Sequence, residues 1–105
     1  MNTNPLRLNH LLLPSNVLMA PLAGYTSWPF RMLCQELGAG LCFTEMVSAN
    51  ALKYKDKATE KLLYTTSEER IRAVQLLGSD PAVMERAACS EALSGFDIID
   101  INMGC

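Results

Sequence analysis

Arg72-Ala-Val-Gln-Leu-Leu-Gly-Ser-Asp-Pro81 is the stretch that decides the fold. Arg72 to Leu77 is mostly apolar and stops at Gly78, which reads as a short buried strand. Asp80-Pro81 then starts a helix. Asp supplies the N-cap acceptor, and proline costs nothing at the first helical position because that N–H has no helical partner. Met84, Ala88 and Ala92 fall on one face with Ala87 beside them, and the alanines are small enough to let the helix pack closely on a sheet. Gly95 is the expected helix end, and Phe96 to Ile101 reads as the next strand. A strand, a helix and a strand within about 30 residues make a parallel βα unit.

The same pattern repeats toward the amino terminus. Asn16-Val-Leu-Met-Ala20 reads as a short buried strand ending at Pro21. A loop with Gly24 follows, then a helix capped by Thr26 or Ser27 with Pro29 in its first turn. Phe30, Leu33, Cys34 and Leu37 recur at i, i+3, i+4 and i+7, the spacing of one apolar helix stripe. Gly38 and Gly40 end that helix, and Leu41 to Thr44 is the second strand. Residues 48–63 look helical but punctuated, as two short helices. Leu37-Gly-Ala-Gly-Leu41 and Leu93-Ser-Gly-Phe96 are similar junctions, each leading from a helix end through glycine into an apolar strand. The order β-α-β-α-β-α-β predicts an α/β fold, either an open doubly wound sheet or part of a barrel. Residues 1–16 stand apart as a polar lead-in.

The 105 residues are 50% hydrophobic and 19% charged, with a net charge of −2. Such a composition buries a core and has no overall basic footprint. Leu11 to Phe30 carries no formal charge, but Pro14, Pro21 and Pro29 break it as a membrane span, and no signal peptide fits. The chain reads as soluble. Cys34, Cys42, Cys89 and Cys105 form no C-x-x-C, and His10 is the only histidine, so a metal site is not supported. The first three cysteines, among apolar neighbours, read as buried reduced thiols of a cytoplasmic protein. Lys53, Lys57 and Lys61 form an i, i+4, i+8 row that reads as a solvated face balanced by Asp56 and Glu60.

Parallel α/β folds place chemistry at the carboxyl ends of their strands. There this chain carries Ala20-Pro-Leu-Ala-Gly24, Glu45-Met46, Gln75 with Gly78-Ser-Asp80, and Asn102-Met-Gly-Cys105. Pro21 and Gly24 are turn formers that also leave backbone groups open to a ligand. Gln75, an amide within an apolar strand, is either a satisfied core group or a ligand reader. Glu45 is either an ion-pair partner or a site carboxylate. Neither G-x-G-x-x-G nor G-x-x-x-x-G-K-[ST] is present.

Ala20-Pro-Leu-Ala-Gly-Tyr-Thr-Ser-Trp-Pro-Phe-Arg31, Thr44-Glu-Met46, Val74-Gln-Leu-Leu-Gly-Ser-Asp-Pro81 and Asp100-Ile-Asn-Met-Gly-Cys105 together resemble the tRNA-dihydrouridine synthase family, closest to its bacterial B-type branch. The resemblance covers the chain from about residue 17 onward. It implies the amino-terminal half, about four βα units, of a flavin-binding (β/α)₈ TIM barrel. Residues 17–105 would be a partial barrel domain truncated at its carboxyl end, since such barrels typically need about 250 residues.

The activity implied is reduction of uridine in tRNA to 5,6-dihydrouridine, with FMN as cofactor and NADPH as reductant. The resemblance makes Pro21, Leu22 and Ala23 the segment lying against FMN and Gln75 its hydrogen-bonding partner. Asn102 would hold the uracil and Cys105 would be the catalytic proton donor. It implies tRNA as partner, no membrane, no metal, and a monomer at full length. Leu22 stands where the family commonly has methionine, and Ser27 where aspartate is usual. Another FMN barrel, of the dihydroorotate dehydrogenase or ene-reductase type, keeps the fold and changes the substrate. A non-catalytic truncated chain is the third expectation, and on either account the 105 residues alone would be inactive.

Overall fold

The computed structural model describes residues 3–104. Four parallel strands form one sheet: β3 (Leu18–Met19), β4 (Leu41–Ser48), β5 (Ala73–Leu77) and β6 (Ile98–Ile101). Ahead of them, β1 (Leu6–Leu8) and β2 (Leu11–Leu13) make an antiparallel hairpin. The helices are α1 (Trp28–Glu36) between β3 and β4, α2 (Ala49–Lys53) and α3 (Lys57–Leu62) between β4 and β5, and α4 (Pro81–Ala88) between β5 and β6.

The sheet order β3-β4-β5-β6 follows the chain, with no point where the order reverses. A doubly wound sheet reverses at its switch point; a barrel progresses strand by strand in one direction. The observed order is the barrel progression and resolves the choice left open by the residue pattern. The architecture is α/β and agrees with the amino-terminal part of a (β/α)₈ barrel.

Alternation along β5 divides the core in two. Val74 and Leu76 face the helices, packed with Val47, Ala49, Ala87 and Leu93. Ala73 faces the other side, in a cluster with Leu13 and Leu41 that also takes in Phe43 and Ile98. Leu41, Ala73 and Ile98 are each the first residue of their strand. The hairpin residue Leu13, fully buried, therefore seals the amino-terminal end of the sheet and leaves the opposite end for chemistry. Residues 6–13, within the expected lead-in, are thus part of the packed structure. Asn9, at φ 54°, turns the hairpin; asparagine is among the residues that tolerate this region.

Asp80 caps α4 as the sequence predicts, its Oδ1 accepting from the Ala82 and Val83 amides at 2.8 and 3.3 Å. The helix stops at Ala88, short of Gly95, because the Ser90 hydroxyl donates to the Ala87 carbonyl at 2.7 Å and a 3₁₀ turn (Glu91–Leu93) takes over. Three further expectations are corrected. Residues 16–20 are not a buried strand: only Leu18 and Met19 pair, and Leu18 is exposed. The stripe Phe30–Leu33–Cys34–Leu37 is not the buried face of α1: Leu33 and Leu37 are exposed, and the buried residue is Arg31. Of the three interior cysteine assignments, only Cys42 is fully buried; Cys34 is half-buried and Cys89 is exposed. Gly40 packs against the turn before β3, where a Cβ would lie 2.0 Å from the Ser15 carbonyl oxygen, so no side chain fits there.

Candidate active site

β4 runs past Thr44 to Ser48, so Glu45 and Met46 lie inside a strand rather than after it. Phe43 pairs with Ala73 and Met46 with Gln75, which places one extra residue on β4. A bulge of this kind interrupts the ladder and re-aims side chains. Here the Gln75 N–H donates to the Thr44 hydroxyl oxygen at 3.2 Å, and Thr44 in turn donates to the Glu45 carbonyl at 2.8 Å. The freed Glu45 side chain reaches the loop after β3, where its Oε1 accepts from the Gly24 N–H at 2.5 Å. Gly24 sits at φ 81°, a conformation that favours glycine.

The loop itself is wound around Leu22. Its carbonyl accepts from the Tyr25 and Thr26 amides, both at 3.0 Å, and its N–H donates to Thr26 Oγ1 at 3.2 Å. The Leu22 amide is therefore already engaged, while the Leu22 side chain is exposed. The Ala23 N–H has no partner among the described residues. Pro21, Leu22 and Ala23 thus present a proline ring, an apolar side chain and one open donor.

Deeper in the sheet, Gln75 is only 8% exposed. Asp100 is its register partner on β6, and Gln75 Nε2 donates to Asp100 Oδ2 at 2.6 Å. Asn102, two residues on and so on the same face, donates from Nδ2 to Gln75 Oε1 at 3.3 Å. Asn102 Nδ2 also lies 3.0 Å from Met46 Sδ, and its Oδ1 accepts from the Gly104 N–H at 3.0 Å. An amide has two donors and two acceptor positions, so Gln75 retains one N–H and one lone pair for a ligand.

The structure therefore joins Gln75 to Asn102 directly and places Pro21–Ala23 after β3, two strands from Gln75, in a loop tied to β4 through the Gly24–Glu45 bond. Cys105 lies outside the described residues. Two participants were missed from sequence. Asp100 could have been found by alternation, since it shares a face with Asn102. Arg31 could not: its partner Glu69 is 38 residues away, across two further helices. Among the described residues no group of three or more His, Cys, Asp or Glu side chains could hold a metal ion, and no helix is long and apolar enough to cross a membrane.

Comparison with known proteins bears on this arrangement. The family model described as Dihydrouridine synthase (Dus) matches residues 18–105. The chain is 42% identical over 100 residues to tRNA-dihydrouridine synthase B of Vibrio parahaemolyticus, covering 95% of this chain and 31% of that protein. It is 40% identical over 99 residues to the protein of the same name from Pseudomonas aeruginosa, covering 94% of this chain and 30% of that one. For that of Escherichia coli K12 the figures are 43% over 100 residues, 95% and 31%. The chain thus spans less than a third of the length of these relatives.

Proposed function

The chain belongs to the dihydrouridine synthase family, and from that premise we propose that it supplies the amino-terminal part of an oxidoreductase reducing uridine in tRNA to 5,6-dihydrouridine with FMN and NADPH. The observation that carries the proposal is the 3.3 Å contact between Gln75 and Asn102. It brings the residue assigned to the cofactor against the residue assigned to the substrate at one strand edge.

The residues present fit a flavin. Gln75 is a buried amide with one donor and one acceptor position still open. Ala23 offers an N–H without a partner among the described residues, and Pro21 and Leu22 offer apolar surface for a ring system. Pro21, Leu22, Ala23 and Gln75 would hold FMN, and a reduced flavin supplies hydride chemistry when bound.

The chain's own part is to bind, orient and protonate. Asn102 keeps one lone pair on Oδ1 beyond its bond from Gly104, suited to accept from a ring N–H of the uracil. Cys105 would be the donor of the proton that C5 of the base takes up when C6 is reduced. That role needs a protonated thiol, which a pKa near the ordinary value of about 8.5 provides at neutral pH. NADPH would supply the reducing equivalents. The same reading makes the protein cytoplasmic and monomeric at the length of its relatives, and leaves the 105 residues alone without turnover.

The test is a chimera in which this chain replaces the aligned 100 residues of the Vibrio parahaemolyticus relative. Supplied with unmodified tRNA, FMN and NADPH, it should form dihydrouridine, and Cys105→Ala should lose at least about 100-fold in rate, the scale of a general acid. Turnover of free orotate or an enone with none on tRNA would reassign the substrate. Full activity of the Cys105→Ala chimera would remove that residue from the chemistry.

A further inference from the structure

Four groups form a hydrogen-bonded series across the site: the Gly104 N–H, the Asn102 amide, the Gln75 amide and the Asp100 carboxylate. The two ends have fixed polarity. A backbone N–H can only donate, and an ionised carboxylate can only accept. The two amides between them could each be turned either way on shape alone, because oxygen and NH₂ are nearly the same size. Donation from Gly104 requires the Asn102 oxygen to face it, which turns Asn102 Nδ2 toward Gln75. Acceptance by Asp100 requires the Gln75 Nε2 to face it, which turns Oε1 toward Asn102. Both ends therefore demand the same sense, and every donor in the series points toward Asp100.

We infer that Asp100 is a positioning residue that acts through Gln75, setting which way round its amide faces the site. The bond is short, 2.6 Å between Gln75 Nε2 and Asp100 Oδ2, and charge-assisted. Reversing the Gln75 amide would set two acceptors, Oε1 and Asp100 Oδ2, against each other and two donors, Nε2 and Asn102 Nδ2, against each other. The inference rests on the proposed reading in one respect: with Gln75 facing a cofactor, Asp100 decides where on the amide the free N–H and the free lone pair lie.

Asparagine at position 100 has the shape of aspartate but offers either an oxygen or an NH₂, so both senses of Gln75 become satisfiable. Nuclear magnetic resonance of the side-chain NH₂ groups reads this directly. The wild-type chain should show one set of Gln75 and Asn102 side-chain amide resonances. Asp100→Asn should give a second set, or exchange broadening, at both residues, with the backbone amides of β5 unchanged. The double variant Asp100→Asn/Asn102→Asp moves the carboxylate to the other side of Gln75. It should restore a single set of Gln75 resonances, with the proximity of its NH₂ protons transferred from residue 100 to residue 102. A single unshifted set in Asp100→Asn, or an unchanged sense in the double variant, overturns the inference. FMN binding is read on the chimera described above, which should take up the cofactor where the isolated chain binds it poorly. If the chimera binds none, the cofactor reading fails while the result on the amide sense stands.

Discussion

Arg31 and Glu69 meet as a two-pronged ion pair, Nε to Oε2 at 2.8 Å and the second guanidinium arm to Oε1 at 3.0 Å, where each side chain is only 1% exposed. Both partners make further hydrogen bonds. Arg31 donates to the Thr26 and Tyr64 carbonyls, both at 2.9 Å, and Glu69 accepts from the Thr65 hydroxyl at 2.6 Å. The pair ties α1 to the segment before β5 and, through Thr26, to the loop carrying Pro21–Ala23. A buried fork of this kind is tolerated because its charges are paired and hydrogen-bonded together.

Arg31→Met should destabilise the chain by about 3–5 kcal/mol in urea unfolding, because it leaves the Glu69 carboxylate buried without a counter-charge. Arg31→Met/Glu69→Leu should recover much of that loss, since a packed apolar pair often matches a buried ion pair. Losses that simply add in the double variant would contradict the coupling.

Thr26→Val keeps the shape of a fully buried residue but removes the hydroxyl that accepts from the Leu22 N–H and donates to its carbonyl. One net hydrogen bond is worth about 1 kcal/mol, so exchange of the Leu22 amide should rise about 5-fold. Amides in β5 should keep their protection. An unchanged rate at Leu22 would mean that the loop is held without Thr26.

The site loop and the core of α1 were not equally legible. Asp80-Pro81 declared its helix because a cap is a local event, complete within four residues. Gln75 stood out because one amide interrupts an apolar strand. Arg31 was hidden because the apolar spacing of Phe30, Leu33, Cys34 and Leu37 marks a stripe whether or not that stripe is buried in these residues. What sends Arg31 inward is a carboxylate that only tertiary folding brings near. The hairpin was hidden for a related reason: Leu6–Leu8 and Leu11–Leu13 are too short for alternation to register, and their value lies in Leu13 meeting the first residues of distant strands. The bulge in β4 is likewise a property of the pairing with β5, so Glu45 read as lying after the strand.

Asp80→Ala removes the acceptor for the Ala82 and Val83 amides. It should cost about 1 kcal/mol of stability, the usual worth of an N-cap, with faster exchange confined to those two amides. Asp80→Ser should restore most of the loss. A cost below experimental error for the alanine variant would show that Pro81 alone fixes the helix start.

Cys42 should make the chain's stability fall in alkali. Its thiol is pushed up from 9.0 to about 12, first by burial, then by the neighbouring Cys34 and Glu69, with Arg31 and Gln35 opposing. The thiol also lies 3.6 Å from the Arg31 carbonyl, to which it donates, and that bond exists only while the proton is present. The folded chain therefore keeps this proton at pH values where the unfolded chain has released it. The contribution is fully present below pH 9.0 and is lost as pH rises toward about 12, with a slope of about 1.4 kcal/mol per pH unit between the two values. Urea unfolding of wild type and Cys42→Ala at intervals from pH 8 to 11 isolates this group, because lysines and tyrosines titrate alike in both. The stability difference between the two should shrink as pH rises above 9. Thiol labelling gives a second reading. Exposed Cys89 should react with a water-soluble reagent in the folded chain, and Cys42 only as fast as the chain opens. A pH-independent difference, or equal labelling of the two thiols, would place Cys42 in contact with water.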